Sequence, residues 1–294
     1  MTAPAPSIDL HKDVDGRAGW LSWFVGRHPT MLLGLLLLIA MSFVALGAPW
    51  WAGGDPLEIN PIDRLQGPSA EHWFGTDHLG RDIYMRTVYG SRISLIVGVS
   101  VAITSIAVGL AIGLVSGYEP RIDMVVMRVM DGLMAIPAIL LAIALIALVS
   151  ASVQNVIIAL AIPEIPRVVR VVRASVLSLR EQPFVEAMRA AGAGVPRILL
   201  RHIMPNTLAP LIVQATYICA SAVIFEAYLS FLGAGTPPHI PSWGNIMAEG
   251  RAYVQLAFWI ILFPGLFLAT TVLAINLVGD GLRDTLDPKL ARRM

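Results

Sequence analysis

The sequence predicts an all-α integral membrane protein with six transmembrane helices. Three observations carry that prediction. Of 294 residues, 56% are hydrophobic and only 14% are charged, against about 25% charged in a typical soluble domain. Mean hydropathy is +0.71. The apolar residues are gathered into uncharged runs, several of them long enough to cross a bilayer. A soluble fold of this size would not have enough polar residues to cover its surface.

The elements follow in order. Residues 1–27 are polar and read as a cytoplasmic tail. Met31 to Ala48 has 18 residues without a charge, about 27 Å of helix and close to the hydrocarbon thickness. The run begins behind a stretch of mixed charge and is longer than a signal-peptide core, so it reads as a retained first span. Ile93 to Tyr118 is the second. Gly132 to Pro163 is uncharged but too long for one crossing, and its polar middle, Ser150 to Asn155, reads as a turn. The third helix therefore ends near Val149 and the fourth starts near Gln154. Pro163 and Pro166 are expected to break or kink the fourth. Thr207 to Phe231 is the fifth span and Leu256 to Val278 the sixth. In domain terms, 28–92 holds the first helix and an external loop with an interfacial helix, 93–280 the core, and 281–294 a cytoplasmic tail.

Lys and Arg set the orientation, since they accumulate on the cytoplasmic side. With both termini inside, 16 of the 21 lie on cytoplasmic segments, and only Arg64, Arg81, Arg86, Arg92 and Arg251 lie outside.

Composition also excludes function classes. A net charge of +1 lacks the basic excess of a nucleic-acid binder. One cysteine, Cys219, permits neither an intrachain disulfide nor a Cys-rich metal site. The two lysines, Lys12 and Lys289, follow no GxxxxG stretch, so there is no Walker A loop. His72 and His78 flank Asp77, but their spacing of six matches no common ligand pair. No nucleophile–His–carboxylate set stands out, and neither a cofactor nor a metal is expected. An integral-membrane enzyme would need such a set. A self-sufficient secondary transporter would need inverted repeats or coupled intramembrane charges, and only isolated ones occur.

Those isolated charges are Glu164, which can be neutralised by Arg167 one turn on, and Glu226. Glu226 sits towards the outer end of the fifth span with no sequence-local partner, and points to the bundle interior or a translocation path. Asp131 is expected to pair with Arg128. Outside the membrane, Asp82 and Arg86 are spaced as an i,i+4 pair, and with Arg81, Arg92, Tyr84 and Tyr89 suggest an interfacial helix. Pro237, Pro238 and Pro241 make Thr236 to Trp243 a non-helical stretch, either an outer gate element or a stiff connector.

The most informative segment is the connector REQPFVEAMRAAGAGVPRILLRHIMPNTLAP, Arg180 to Pro210. Pro183 can open a short helix, Gly192 to Gly194 end it, and Pro196 can start a second that ends before Pro205. Ala187, Ala190 and Ala191 keep one face small. The pattern alone leaves two readings open: a knob that another protein grips, or a basic connector on anionic headgroups.

Glu186-Ala187, then Gly192 six residues after the Glu, then Pro205 thirteen after the Gly, resembles the EAA loop of binding-protein-dependent ABC importer permeases. Met188 stands where that family has a second Ala, and His202 and Met204 where it has Ile and Leu. Four further blocks resemble the second permease subunit of the peptide and nickel branch: PSAEHWFGTDHLGRD (Pro68 to Asp82), YGSRISLIVG (Tyr89 to Gly98), FLGAGTPPHIPSWGNIM (Phe231 to Met247) and GDGLRDTLDPK (Gly279 to Lys289). The resemblance covers Arg27 to Lys289. It implies the type I importer permease fold and makes residues 180–205 the coupling loop that docks into a separate ATPase subunit. It further implies a homologous second permease, ATP-binding subunits that perform all hydrolysis, an extracytoplasmic solute-binding protein docking on the outer face, and a peptide as substrate, with nickel or another small solute as the alternative.

Overall fold

The computed structural model describes residues 29–286; the N-terminal tail and the last eight residues, with the end of the fourth resemblance block, lie outside it. Among the described residues the chain is helical, with no β-strand and one isolated bridge between Thr76 and Asp82. Helix α1 is Pro29–Leu46, and α2 a single turn, Ala48–Trp51. A long loop leads to α3, Ile83–Tyr118. Then come α4 (Pro120–Met134), α5 (Ala138–Ala147) and α6 (Val153–Arg180). Two short helices follow, α7 (Pro183–Ala190) and α8 (Val195–Ile198). A π-helical turn, Leu199–Ile203, leads into α9 (Met204–Phe231), and α10 (Trp243–Gly250) and α11 (Trp259–Leu286) complete the fold.

Several elements differ from expectation. No separate interfacial helix precedes the second span. Its residues form the first turns of α3, which runs for 36 residues, about 54 Å and far more than a bilayer's thickness. No proline interrupts it, so the backbone ladder simply continues above the apolar run. Asp82 is its N-cap, accepting a hydrogen bond from the Met85 amide at 3.0 Å. The third span is also altered. Arg121 and Arg128 lie on α4 rather than in a loop, and α4 and α5 meet at 88° across a break ending in Pro137. Proline disfavours helical geometry in the residue before it, which places the bend. The polar turn after α5 lies where expected, with Ser152 capping α6 through the Asn155 amide.

Helix α6 does not break at Pro163 or Pro166; it is continuous through both. The Ser105 hydroxyl of α3 donates to the Ala161 carbonyl, two residues before Pro163, giving the α6 backbone an interhelical partner beside the prolines. Nor does the second short helix of the connector stop before Pro205. It passes through the π turn into α9, and Pro205, which has no backbone donor, falls two residues past that turn, where the hydrogen-bond ladder already changes register.

By length and apolarity, α1, α3, the Val195–Phe231 run and α11 can each cross a membrane, and the bent α4–α5 pair makes a fifth crossing if taken as one broken span. Helix α6 does not qualify by itself. Only Val153 to Pro163 is uncharged before Glu164, Arg167, Arg170, Arg173 and Arg180. Its buried face instead packs on α3. There Gly109, Gly113 and Gly117 receive Val168, Val172 and Val176, each so closely that a Cβ on the glycine would meet the valine Cβ at 2.5 to 2.7 Å. This is small-residue packing at the four-residue spacing of close membrane helix pairs. The main apolar core lies along this seam and extends to Val185 and Ile198 of the connector.

Candidate functional site

At one end of the bundle, α7 and α8 form a compact knob. Pro183 opens α7, Glu186 lies in its first turn, where a carboxylate complements the helix dipole, and Arg189 lies in its last. Gly192 then takes φ +78°, the left-handed region glycine enters without steric cost. A Cβ on Gly192 would meet nothing within 4 Å, so glycine is needed here for the backbone angle and not for space. Val185 and Ile198 are buried beneath the knob, whereas Glu186, Ala187, Ala190 and Ala191 face outwards. Arg189 clasps the knob to the end of α3. Its Nε donates to the Tyr118 hydroxyl at 3.2 Å, and its guanidinium lies 5.2 Å from that ring's centre. Arg180 adds a hydrogen bond to the Gly117 carbonyl at 3.1 Å.

Further charged pairs lie on α6. Arg170 reaches Asp131 of α4 at 2.6 Å, and Arg173 grips Asp123 of α4 through two nitrogens. The expected Asp131–Arg128 pair does not form, because packing of α4 on α6 brings Arg170 to that carboxylate. Glu164 is nearly buried and meets Arg167 at 3.4 Å, as its spacing suggests.

Glu226 is fully buried, and it does have partners. The Ser230 hydroxyl donates to its Oε1 at 2.8 Å, Thr236 approaches Oε1 at 3.4 Å, and Ser94 of α3 approaches Oε2 at 3.4 Å. Thr236 belongs to the proline-rich stretch. Its carbonyl and hydroxyl, with the Pro237 and Ile240 carbonyls, are all held by Asn245 Nδ2. The stretch is thus tied to α9 and α10 by buried hydrogen bonds, and Glu226 sits at its base as a bundle-interior group. Ser230 was legible as its neighbour one turn away; Ser94, 132 residues earlier, was not.

Sequence reasoning missed the strongest electrostatic feature. Arg86 and Asp77 are completely buried, and Arg86 reaches Asp77 and Glu249 at 2.6 Å each. Arg81 bonds Asp77 at 2.7 Å and also contacts Glu249. The expected Asp82–Arg86 pair is absent. Asp82 instead lies 2.8 Å from His72 Nδ1, because N-capping turns its side chain back along the loop. Ligand atoms of Asp77, His78 and Glu249 lie within 4.8 Å of one another. Both carboxylates are already occupied by two guanidiniums, so a cation there would face two like charges. The cluster joins the loop before α3 to α10 and acts as a structural clamp.

The profile of the family described as "Binding-protein-dependent transport system inner membrane component" matches residues 90–292. A probable peptide ABC transporter permease protein of Sinorhizobium fredii is 54% identical over 91% of both chains. The dipeptide transport system permease protein DppC of Alkalihalophilus pseudofirmus is 46% identical over 90% of this chain and 87% of its own. The oligopeptide transport system permease protein OppC of Bacillus subtilis is 37% identical over 89% and 86%. Among solved structures, a chain of the inward-facing MetNI methionine ABC transporter superposes with a TM-score of 0.58 over 70% of this chain and 98% of its own, at 21% identity.

Proposed function

The chain belongs to the family of binding-protein-dependent transport system inner membrane components, and from that premise we propose that it forms half of the translocation pathway of an ATP-driven peptide importer in the cytoplasmic membrane. The relatives' names support the peptide reading: proteins named as peptide, dipeptide and oligopeptide permeases are 37% to 54% identical over 89% to 91% of the chain. A homologous permease completes the pathway, separate ATP-binding subunits hydrolyse ATP, and an extracytoplasmic binding protein delivers substrate. The chain itself performs no catalysis. Both termini are cytoplasmic, and α6 is the remaining crossing, fourth in chain order, with Glu164 buried and Arg173 paired to Asp123 of α4.

The observation that carries the coupling role is the knob. Glu186, Ala187 and the left-handed Gly192 are exposed, while Val185 and Ile198 root them in the core. Pro205 lies in the first turn of α9, which the π turn joins to the knob. A push on the knob is therefore transmitted to α9 and, through Arg189 and Tyr118, to α3. ATP-driven closure of the ATPase subunits shifts the balance of the two permeases between inward-open and outward-open states. Glu164 and Glu226 serve the bundle interior.

The test is transport by the complete assembly in proteoliposomes, with labelled dipeptides, longer peptides and nickel offered separately. ATP-dependent peptide accumulation that requires the binding protein is expected. Preference for nickel would replace the peptide reading. Gradient-driven flux through this chain alone would overturn the importer reading altogether.

A further inference from the structure

Helix α1 is not packed evenly along its length. At Gly34 it closes tightly on α11, where a Cβ would meet Leu277 at 2.6 Å, and Gly281 of α11 receives Met31 as closely. From Leu38 onwards an apolar cavity of about 650 Å³ opens among α1, α3, α9 and α11, walled by Leu38, Val99, Ile103 and Ile275. A second cavity of about 380 Å³ shares Ser42, Leu95 and Val99 with it and continues to Leu46 and Arg92. The two form one groove. From Arg92 to Ala107 it follows α3 for fifteen residues, about 22 Å and more than half of the ~30 Å hydrocarbon core.

Two features define what fits. The walls are apolar, so they suit a chain without backbone polar groups to satisfy. Arg92, at the mouth, is exposed and makes no ion pair among the described residues, so it suits an anion. Trp50 and Trp51, just beyond Leu46, are exposed, and exposed tryptophans mark the membrane–water interface. Arg92 therefore lies at headgroup depth. An apolar tail with one anionic group at that depth is a phospholipid. We propose that this groove binds one phospholipid, with an acyl chain between α1 and α3 and its phosphate on the Arg92 guanidinium, whose planar fork suits phosphate oxygens. In the orientation proposed above this is a lipid of the extracytoplasmic leaflet; only the choice of leaflet rests on that reading. The lipid fills space where α1 and α3 do not touch and fixes the outer half of α1.

The assembled complex, in nanodiscs of phosphatidylethanolamine and phosphatidylglycerol, is labelled with phosphatidylglycerol carrying a photoreactive acyl chain, and the adducts are mapped by mass spectrometry. Labelling of α1 and α3 around Ser42 and Val99 is expected. Arg92→Glu, an exposed change that leaves the packing intact, lowers it several-fold, and Val99→Trp, which fills the groove, does the same. Labelling that both variants leave undiminished overturns the proposal. So does efficient photocrosslinking of the second permease by a benzophenone side chain placed at Val99, since a protein segment would then occupy the groove. The readout is labelling and not uptake, so its failure leaves the importer reading untouched.

Discussion

Gly192 carries its conformation without any packing constraint: φ is +78° and the space around its Cα is open. Substitutions there separate backbone strain from volume. Holding an L-residue in the left-handed region costs about 1–2 kcal/mol, more for a β-branched side chain and less for Asn, whose short amide tolerates the angle. Gly192→Val is expected to lower peptide uptake and substrate-stimulated ATP hydrolysis together, while Gly192→Asn retains most of both. Equal loss in the two variants would mean that the exposed surface, and not the bend, matters. Arg86 is the opposite case, defined by its partners. Arg86→Ala leaves Asp77 buried with Arg81 alone, and removing one member of a buried pair costs about 3–5 kcal/mol. The yield of folded protein and its melting temperature in detergent should both fall clearly. Glu249→Gln, at the partly exposed rim of the cluster and still able to accept a hydrogen bond through its amide oxygen, should cost less than Arg86→Ala.

Among the elements, the α3–α6 seam is the most demanding. Gly113 faces Val172 with 2.6 Å between an added Cβ and the valine Cβ, so no rotamer change relieves a larger residue. Overpacking costs about 1–3 kcal/mol even where neighbours can move, and here two long helices would have to part. Gly113→Leu should therefore abolish stable membrane-inserted protein, measured by protease resistance and detergent melting. Gly132, whose added Cβ would meet nothing within 4 Å, is the control: Gly132→Ala should be tolerated. The spacing of Gly109, Gly113 and Gly117 was available in the sequence as a small-residue repeat. Which helix it received was not, because the equally spaced row Val168, Val172 and Val176 is one of many apolar rows, and only the packing of α6 on α3 brings it onto the glycines.

For the whole molecule, orientation is the decisive property. The arginines crowd onto α6, the knob and the flanking segments, and from this the positive-inside rule predicts that end to be cytoplasmic. Reporter fusions after Gly54 and Ala193 are expected to read outside and inside respectively. An outside signal at Ala193 would turn the knob away from any ATPase and remove the proposed coupling. The same fusions placed on either side of α6 count the crossings: opposite signals at Ala151 and Ala193 establish α6 as a span.

The sequence by itself determined the solvent, the helical class and the local punctuation of this chain. Transfer of apolar side chains to lipid is nearly additive along the chain, so runs such as Met31 to Ala48 and Ile93 to Tyr118 can be read without a partner in view. The glycine bend at Gly192 and the capped turn at Ser152 are equally local, arising from the angles and side-chain oxygens of a few residues. Only the tertiary structure decided the pairing of charges. Arg86 meets Glu249 across 163 residues, Arg170 takes Asp131 from its nearer neighbour Arg128, and Glu226 finds Ser94 on another helix. Ion pairs and buried hydrogen bonds act over about 3 Å. A one-residue change in helix register turns a side chain by about 100°, so such partners are settled by how the helices pack against one another and not by spacing along any one of them.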